Sequence, residues 1–262
     1  MGPAEELTYG SYLRLDDLLS CQSPRTDKHD EMLFVVIHQV YELWFKQILH
    51  ELDHLKELLD HHDTERAFAT FKRILTILKV VVAQIDVLET MTPLEFLSFR
   101  ERLAQGSGFQ SRQFRELEYV LGAKNPAALD RYAPGSEGRA ILERRLAEPT
   151  LWDAFLRFLA AQDHDVPDSV LHRDVTQPVT EAPELHPLLV RLYKTDPNVR
   201  ALCERLVDLD EGIQEWRYRH VKMVQRTIGA KMGTGGSSGA AYLMQTINKP
   251  LFPDLWSIRT EL

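Results

Sequence analysis

The side chain best placed to do chemistry in this chain is His220. Leu206, Leu209, Ile213, Trp216, His220, Met223 and Thr227 recur at steps of three and four, so they share one face of a helix. That face is apolar except for the imidazole. A neutral imidazole on a buried stripe needs a partner for its free nitrogen, and a metal in an otherwise apolar pocket is one such partner. Arg217, Arg219, Lys222 and Arg226 flank the stripe and would suit an anionic ligand at a pocket mouth. The plainer reading is a core histidine bonded to another side chain, the commoner fate of a buried polar group.

A second histidine repeats the pattern. His38 shares a face with Phe34, Tyr41 and Phe45, at i−4, i+3 and i+7. All-α proteins commonly build cofactor sites from facing helices. A haem needs an axial histidine, an apolar slot, and basic or hydroxyl groups for its propionates. The pattern allows His38 and His220 to face one pocket but does not fix it. A competing motif is His50-Glu51-Leu52-Asp53-His54, which reads H-E-x-x-H, a zinc-hydrolase signature. Its helix stripe runs through Ile48, Leu52, Leu55 and Leu59, which leaves His50, Glu51 and His54 as an exposed polar face. The G-x-x-H continuation is absent.

The elements that must position these groups read as helices. A stripe of Leu33, Ile37, Val40, Trp44, Ile48, Leu52, Leu55 and Leu59 predicts a helix over 28–59, and a second stripe predicts one over 63–90. Thr92-Pro93-Leu94-Glu95 is a capping box with proline at the first helical position, opening a helix to about 105. Gly106-Ser107-Gly108 breaks it. Further helices are predicted over 110–121, 138–147, 150–162 and 184–195, with an irregular connection at 163–182. After Pro197 a long helical pattern extends to the run Gly233-Thr234-Gly235-Gly236-Ser237-Ser238-Gly239. A short helix at 238–247 and a proline-containing tail close the chain. No stretch alternates long enough for a sheet. The expectation is one all-α domain over 1–262, with long helices side by side. The glycine-rich run permits close backbone approach to a small ligand; the plainer reading is a turn. No Gly-Lys-Ser/Thr follows, so it is not a phosphate loop.

Composition narrows the function. The 262 residues carry a net charge of −8, which argues against a dedicated nucleic-acid binder. Cys21 and Cys203 form no C-x-x-C pair, and a reduced, cytoplasmic protein is the expectation. No apolar run approaches a membrane span, and the acidic start is no signal peptide.

Five blocks, taken in order, resemble the tryptophan 2,3-dioxygenase family. They are Leu7-Thr8-Tyr9-Gly10-Ser11-Tyr12-Leu13; His29-Asp30-Glu31-Met32-Leu33-Phe34 with His38-Gln39-Val40-Tyr41-Glu42-Leu43-Trp44-Phe45-Lys46; Leu88-Glu89-Thr90-Met91-Thr92-Pro93 with Phe99-Arg100; Ser107-Gly108-Phe109-Gln110-Ser111; and Trp216-Arg217-Tyr218-Arg219-His220 through the glycine-rich run. The ordered set spans nearly the whole chain and is far more specific than any one block.

The resemblance implies a helical haem b enzyme, ferrous when active, that assembles as a homotetramer. It implies insertion of both atoms of O₂ across the indole C2–C3 bond of L-tryptophan to give N-formyl-L-kynurenine, the first step of the kynurenine route. His220 matches the family's haem-iron ligand and His38 the histidine that meets the indole N–H. Phe34 matches the residue packed on the indole, Arg100 the one that binds the carboxylate, and Thr234 the one that meets the ammonium and carboxylate. Leu103 and Ser107 match further pocket positions. Tyr9 and Tyr12 match tyrosines that a neighbouring protomer contributes, so 1–27 is expected to contact a neighbour. Phe96 stands where some bacterial members have tyrosine, which removes one hydroxyl near the carboxylate end. Two alternatives stay open from sequence: a related histidyl-haem oxygenase acting on another aromatic amino acid, and a non-catalytic haem sensor.

Overall fold

Apolar spacing of three and four without alternation gives a helical chain, and no strand forms among the described residues. The computed structural model describes residues 7–104, 106, 108–232 and 243–262. Its helices are α1 (Tyr9–Leu13), α2 (Leu15–Leu19), α3 (His29–Asp60), α4 (Thr64–Leu88), α5 (Pro93–Arg100), α6 (Arg112–Val120), α7 (Glu137–Ala147), α8 (Leu151–Ala160), α9 (Asp168–Leu171), α10 (His186–Thr195), α11 (Pro197–Ile228) and α12 (Pro253–Ser257). The 163–182 connection contains α9, and the proline-containing tail contains α12; both are shorter than the windows in which a period of 3.6 is readable.

Local chemistry sets the helix ends. Asp63 accepts the Arg66 N–H and starts α4. Thr92 and Glu95 satisfy each other's backbone N–H, so the predicted capping box is present. Asp196 accepts from the N–H groups of Asn198 and Val199 at the start of α11. At the far end α11 stops at Ile228, because Gly229 adopts φ 61°. The long pattern expected to reach 239 therefore ends earlier, and 233–242 lies outside the described residues.

α4 is the central element. It packs along α3 on one side and α11 on the other, while α6 and α8 cover α3 and α10 covers α11. The stripe residues Leu52, Leu55, Phe71 and Leu206 are buried, with Ile74 and Leu202 buried beside them, each stabilising the fold by about 1.5–3 kcal/mol. Gly212 lets α11 approach α4, since a Cβ there would lie 2.5 Å from Leu78 Cδ2. The two histidine-bearing helices, α3 and α11, thus have α4 wedged between them. They meet through ring contacts of Trp216 with Tyr41 (6.5 Å) and Phe45 (6.2 Å). Arg145 ties α7 to Asp53 of α3 (2.6 Å) and to Glu116 of α6 (3.2 Å). Among the described residues no helix is long and apolar enough to cross a membrane.

Candidate active site

Separating α3 from α11 leaves a cavity of about 590 Å³. Phe34, His38 and Phe45 line it from α3, Phe114 from α6, and Trp216 and His220 from α11. The same helical spacing that puts Trp216 and His220 on one face stacks their rings in parallel, 5.1 Å apart at 4°. His220 makes no hydrogen bond among the described residues. Burial, reinforced by the nearby charge of His38, pushes its pKa down to about 4. It is a neutral imidazole with a lone pair free for a metal. Among the described residues it lacks the core partner that the plainer reading requires.

His38 sits in different surroundings. Its Nδ1 lies 2.7 Å from the Phe34 carbonyl oxygen. A carbonyl only accepts, so Nδ1 carries the proton and donates it, leaving Nε2 as an acceptor. Burial lowers the His38 pKa, against the opposing pull of the Phe34 carbonyl and the Glu42 charge. Phe34 lies 4.1 Å from the His38 ring, and its own ring forms a trio with Phe96 (5.8 Å) and Phe99 (5.6 Å). Phe96, Arg100 and Leu103, from α5 and the turn after it, also line the cavity. Arg100 Nη2 donates to the Met232 carbonyl at 2.5 Å, a bond that uses one of the several N–H donors of the guanidinium.

The basic residues are deployed differently from the sequence expectation. Arg217 is buried in the wall rather than at the mouth. It donates to the carbonyls of Thr246 (3.4 Å) and Lys249 (3.2 Å) and lies 3.5 Å from Glu118. Arg219 pairs with Asp86 and Glu89, and Arg226 with Glu89. Lys222 lies over the Tyr218 ring. The reason is tertiary: the end of α4 and the residue after it bring acids against the flank of α11. The cations bordering the cavity include Arg115, Lys124 and Lys249 as well. Arg115 pairs with Glu118 through Nη1, while its buried Nε has no partner among the described residues. Lys124 spends its N–H groups on the carbonyls of Arg145, Leu146 and Glu148, and burial pushes its pKa down to about 8.

Of the remaining predicted residues, Tyr9 and Tyr12 are 77% and 70% exposed on α1 and do not line the cavity of their own chain. Ser107 and Thr234 lie outside the described residues. The H-E-x-x-H face is not uniformly exposed. Glu51 is buried and accepts from Arg73 (2.9 Å) and Gln47 (2.7 Å), because α4 delivers an arginine opposite it. That carboxylate is committed, and among the described residues no histidine, cysteine and carboxylate cluster could hold a metal ion.

Glu42 also lines the cavity and accepts from Gln113 Nε2 at 2.8 Å. Its place one turn beyond His38 was a readable signal. Lys124 and Lys249 sit in irregular segments and gave none. The 123–182 segment reaches the site through Ala123, Lys124, Asn125 and Pro178. Gly122 makes this approach feasible: it adopts φ +99°, and a Cβ would lie 2.6 Å from Val179 Cγ2.

A family model described as tryptophan 2,3-dioxygenase matches residues 3–140 and 140–262. The chain is 59% identical to the tryptophan 2,3-dioxygenase of Herpetosiphon aurantiacus, over 99% of this chain and 100% of the relative. It is 54% identical to that of Anaeromyxobacter sp. strain K, over 98% and 96%. It is 44% identical to that of Caulobacter vibrioides, over 99% and 100%.

Proposed function

The chain belongs to the tryptophan 2,3-dioxygenase family, and we propose that it inserts O₂ across the indole C2–C3 bond of L-tryptophan to give N-formyl-L-kynurenine. The observation that carries this reading is the pairing, around one cavity, of a neutral imidazole at His220, without a hydrogen bond among the described residues, with a cationic grip at Arg100.

Haem b fits the residues present. His220 would hold the iron. Apolar groups such as Ile85, Leu88, Val221 and Ile228 form walls, and the unpartnered Nε of Arg115 suits a carboxylate of the macrocycle. Bound there in the ferrous state, haem supplies the activation of O₂.

The chain's own work is binding and orientation. Arg100 grips the substrate carboxylate with two parallel charge-assisted hydrogen bonds, which selects an α-amino acid over plain indole. Phe34, with Phe96 and Phe99 behind it, clamps the indole ring. Nδ1 of His38 is committed to the Phe34 carbonyl, so Nε2 accepts the indole N–H. His38 orients the ring and removes no proton, because indole N–H is a very weak acid. Leu103 fills the apolar side of the pocket. By the family resemblance, Thr234 is assigned to the substrate ammonium and carboxylate, and Ser107 to a further pocket position.

α1 and α2 bury none of their residues, and Leu7, Tyr9, Tyr12 and Leu19 are all exposed. This apolar arm suits docking onto a neighbouring protomer, delivering Tyr9 and Tyr12 to its cavity within a homotetramer. The compartment is the cytoplasm, consistent with two cysteines that form no disulfide.

The test is product formation by haem-loaded protein, reduced under argon, given L-tryptophan and then oxygen, beside an L-tyrosine control. N-formylkynurenine from tryptophan alone supports the assignment. A good ferrous haem spectrum without product overturns it.

A further inference from the structure

One wall of the cavity is made by the chain after residue 242, with Leu243, Thr246, Lys249 and Pro250 all bordering it. This strap has no long helix of its own to hold it. It is fixed to α11 at two points of opposite charge. Arg217 donates to the carbonyls of Thr246 and Lys249. Two turns earlier, Asp210 is fully buried. Its Oδ2 accepts from the Leu251 N–H (2.8 Å), the Phe252 N–H (3.1 Å) and Trp256 Nε1 (2.9 Å). Its Oδ1 accepts from Gln214 Nε2 at 2.8 Å. Leu251 and Phe252, whose amides it holds, are themselves buried.

We infer that Asp210 is a positioning residue for the cofactor pocket: it latches the 246–252 strap onto the helix that carries His220, and so closes the wall that retains the cofactor. The arrangement is specific. A helix and an irregular segment cannot share backbone hydrogen bonds in a ladder, so the strap's N–H groups need a side-chain acceptor. One carboxylate oxygen serves three of them. With that acceptor gone, two buried amides and an indole N–H are left unpaired, each at the desolvation cost of a buried donor. The strap relieves this by lifting into water, and the wall opens. Among the described residues, Arg217 is then the strap's remaining charged tie to α11, through two long bonds. Asp210 touches neither substrate nor cofactor, and it acts only through the strap.

The inference rests on the haem reading of the cavity, and its test keeps the two apart. Haem release to an excess of an apo-globin scavenger is followed for wild type, Asp210→Ala, Asp210→Asn and Trp256→Phe. Hydrogen exchange at the Leu251 and Phe252 amides is measured on the same proteins without haem. Asp210→Ala should speed release by about tenfold or more, since at least two buried donors lose their acceptor. Asp210→Asn should stay close to wild type, because one amide oxygen replaces Oδ2 and Gln214 can turn its own oxygen toward the new NH₂. Trp256→Phe removes one donor at the surface end and should speed release by about two- to fivefold. If Asp210→Ala does not fold, this variant carries the test. Strap amides should exchange faster in Asp210→Ala, with α3 and α4 unchanged.

Wild-type release rates in the variants, or equal loss in Asp210→Ala and Asp210→Asn, overturn the latch. Failure of wild type itself to take up haem overturns the cofactor reading instead, and the amide exchange then still decides the latch.

Discussion

The neutral state of His220 makes a quantitative claim on the haem-free protein. An unfolded histidine titrates near 6.5, and His220 in the fold titrates at about 4. At pH 7 both are neutral and the group contributes nothing to pH dependence. As pH falls below 6.5 the unfolded chain takes up a proton that the folded ring refuses, so stability is lost, and the loss levels off below about pH 4. From pH 7 to pH 5 these values give about 2 kcal/mol for a fully desolvated ring. His220 is half-buried and borders the cavity, so solvent screening lowers this to about 1 kcal/mol. Urea unfolding of apo wild type and of His220→Leu, each at pH 7 and pH 5, isolates the term. Wild type should lose about 1 kcal/mol more than the variant over that interval. Equal losses would show that the folded imidazole titrates normally, and the case for a desolvated metal ligand would fail. The same low pKa means that no proton need leave His220 on haem binding at pH 5. Acidification over this range should therefore not weaken haem affinity through this residue.

Other perturbations address the substrate and the frame. His38→Ala should slow product formation about ten- to a hundredfold without abolishing it, since an orienting hydrogen bond is worth a few kcal/mol at most; turnover at background with haem and tryptophan still bound would mean that His38 does more than orient. Arg100→Lys should raise KM for tryptophan by about ten- to a hundredfold and move kcat less, because an ammonium cannot make the paired bonds to a carboxylate. Steady-state kinetics checks both. Gly212→Ala gains about 1 kcal/mol of helix propensity but drives a methyl into Leu78 at an overpacking cost of about 1–3 kcal/mol. The net expectation, read from the urea midpoint, is a less stable protein, and a more stable one would show that α4 and α11 part freely.

Local signals were the legible ones. The capping box at Thr92 and Glu95 is written in four consecutive residues, and it forms as read. The stripes through Leu52 and Leu206 depend on helix period alone; Ile48, Leu52, Leu55, Leu59, Leu206, Leu209 and Ile213 bury as expected, while Trp216, His220, Met223 and Thr227 stay half-buried where they border the cavity. His38 and His220 were found because each is an imidazole out of place on an apolar face. What escaped was chemistry made by contacts between distant segments. Glu51 looked exposed because nothing within its own helix shows that Arg73 will reach it. Arg219 looked free for a ligand because Asp86 and Glu89 lie more than 120 residues earlier. Lys249 and the Asp210 latch involve an irregular segment with no period to read. For the site residues, the ordered blocks of the family resemblance supplied what period and spacing could not.

The placement of α4 explains why these helices make a slot instead of a closed core. Had α3 and α11 packed directly, their apolar stripes would have met at an interaxial distance of about 8–10 Å, with no room for a ligand of this size. α4 takes up the inner faces of both, through Ile74 and Leu78 among others. Further along, Phe45 and Tyr41 meet Trp216 ring to ring, and the cavity they share with His220 opens beside that contact. Gly212 sets how closely α11 approaches α4, and Trp216 sets how His220 stands, through a parallel ring contact within the same helix. The depth of the cavity is thus fixed by packing at Gly212, outside the lining, and the aim of its imidazole by Trp216 within it. Substitutions at Gly212 or Leu78 should consequently disturb cofactor binding as well as stability, although neither residue borders the cavity.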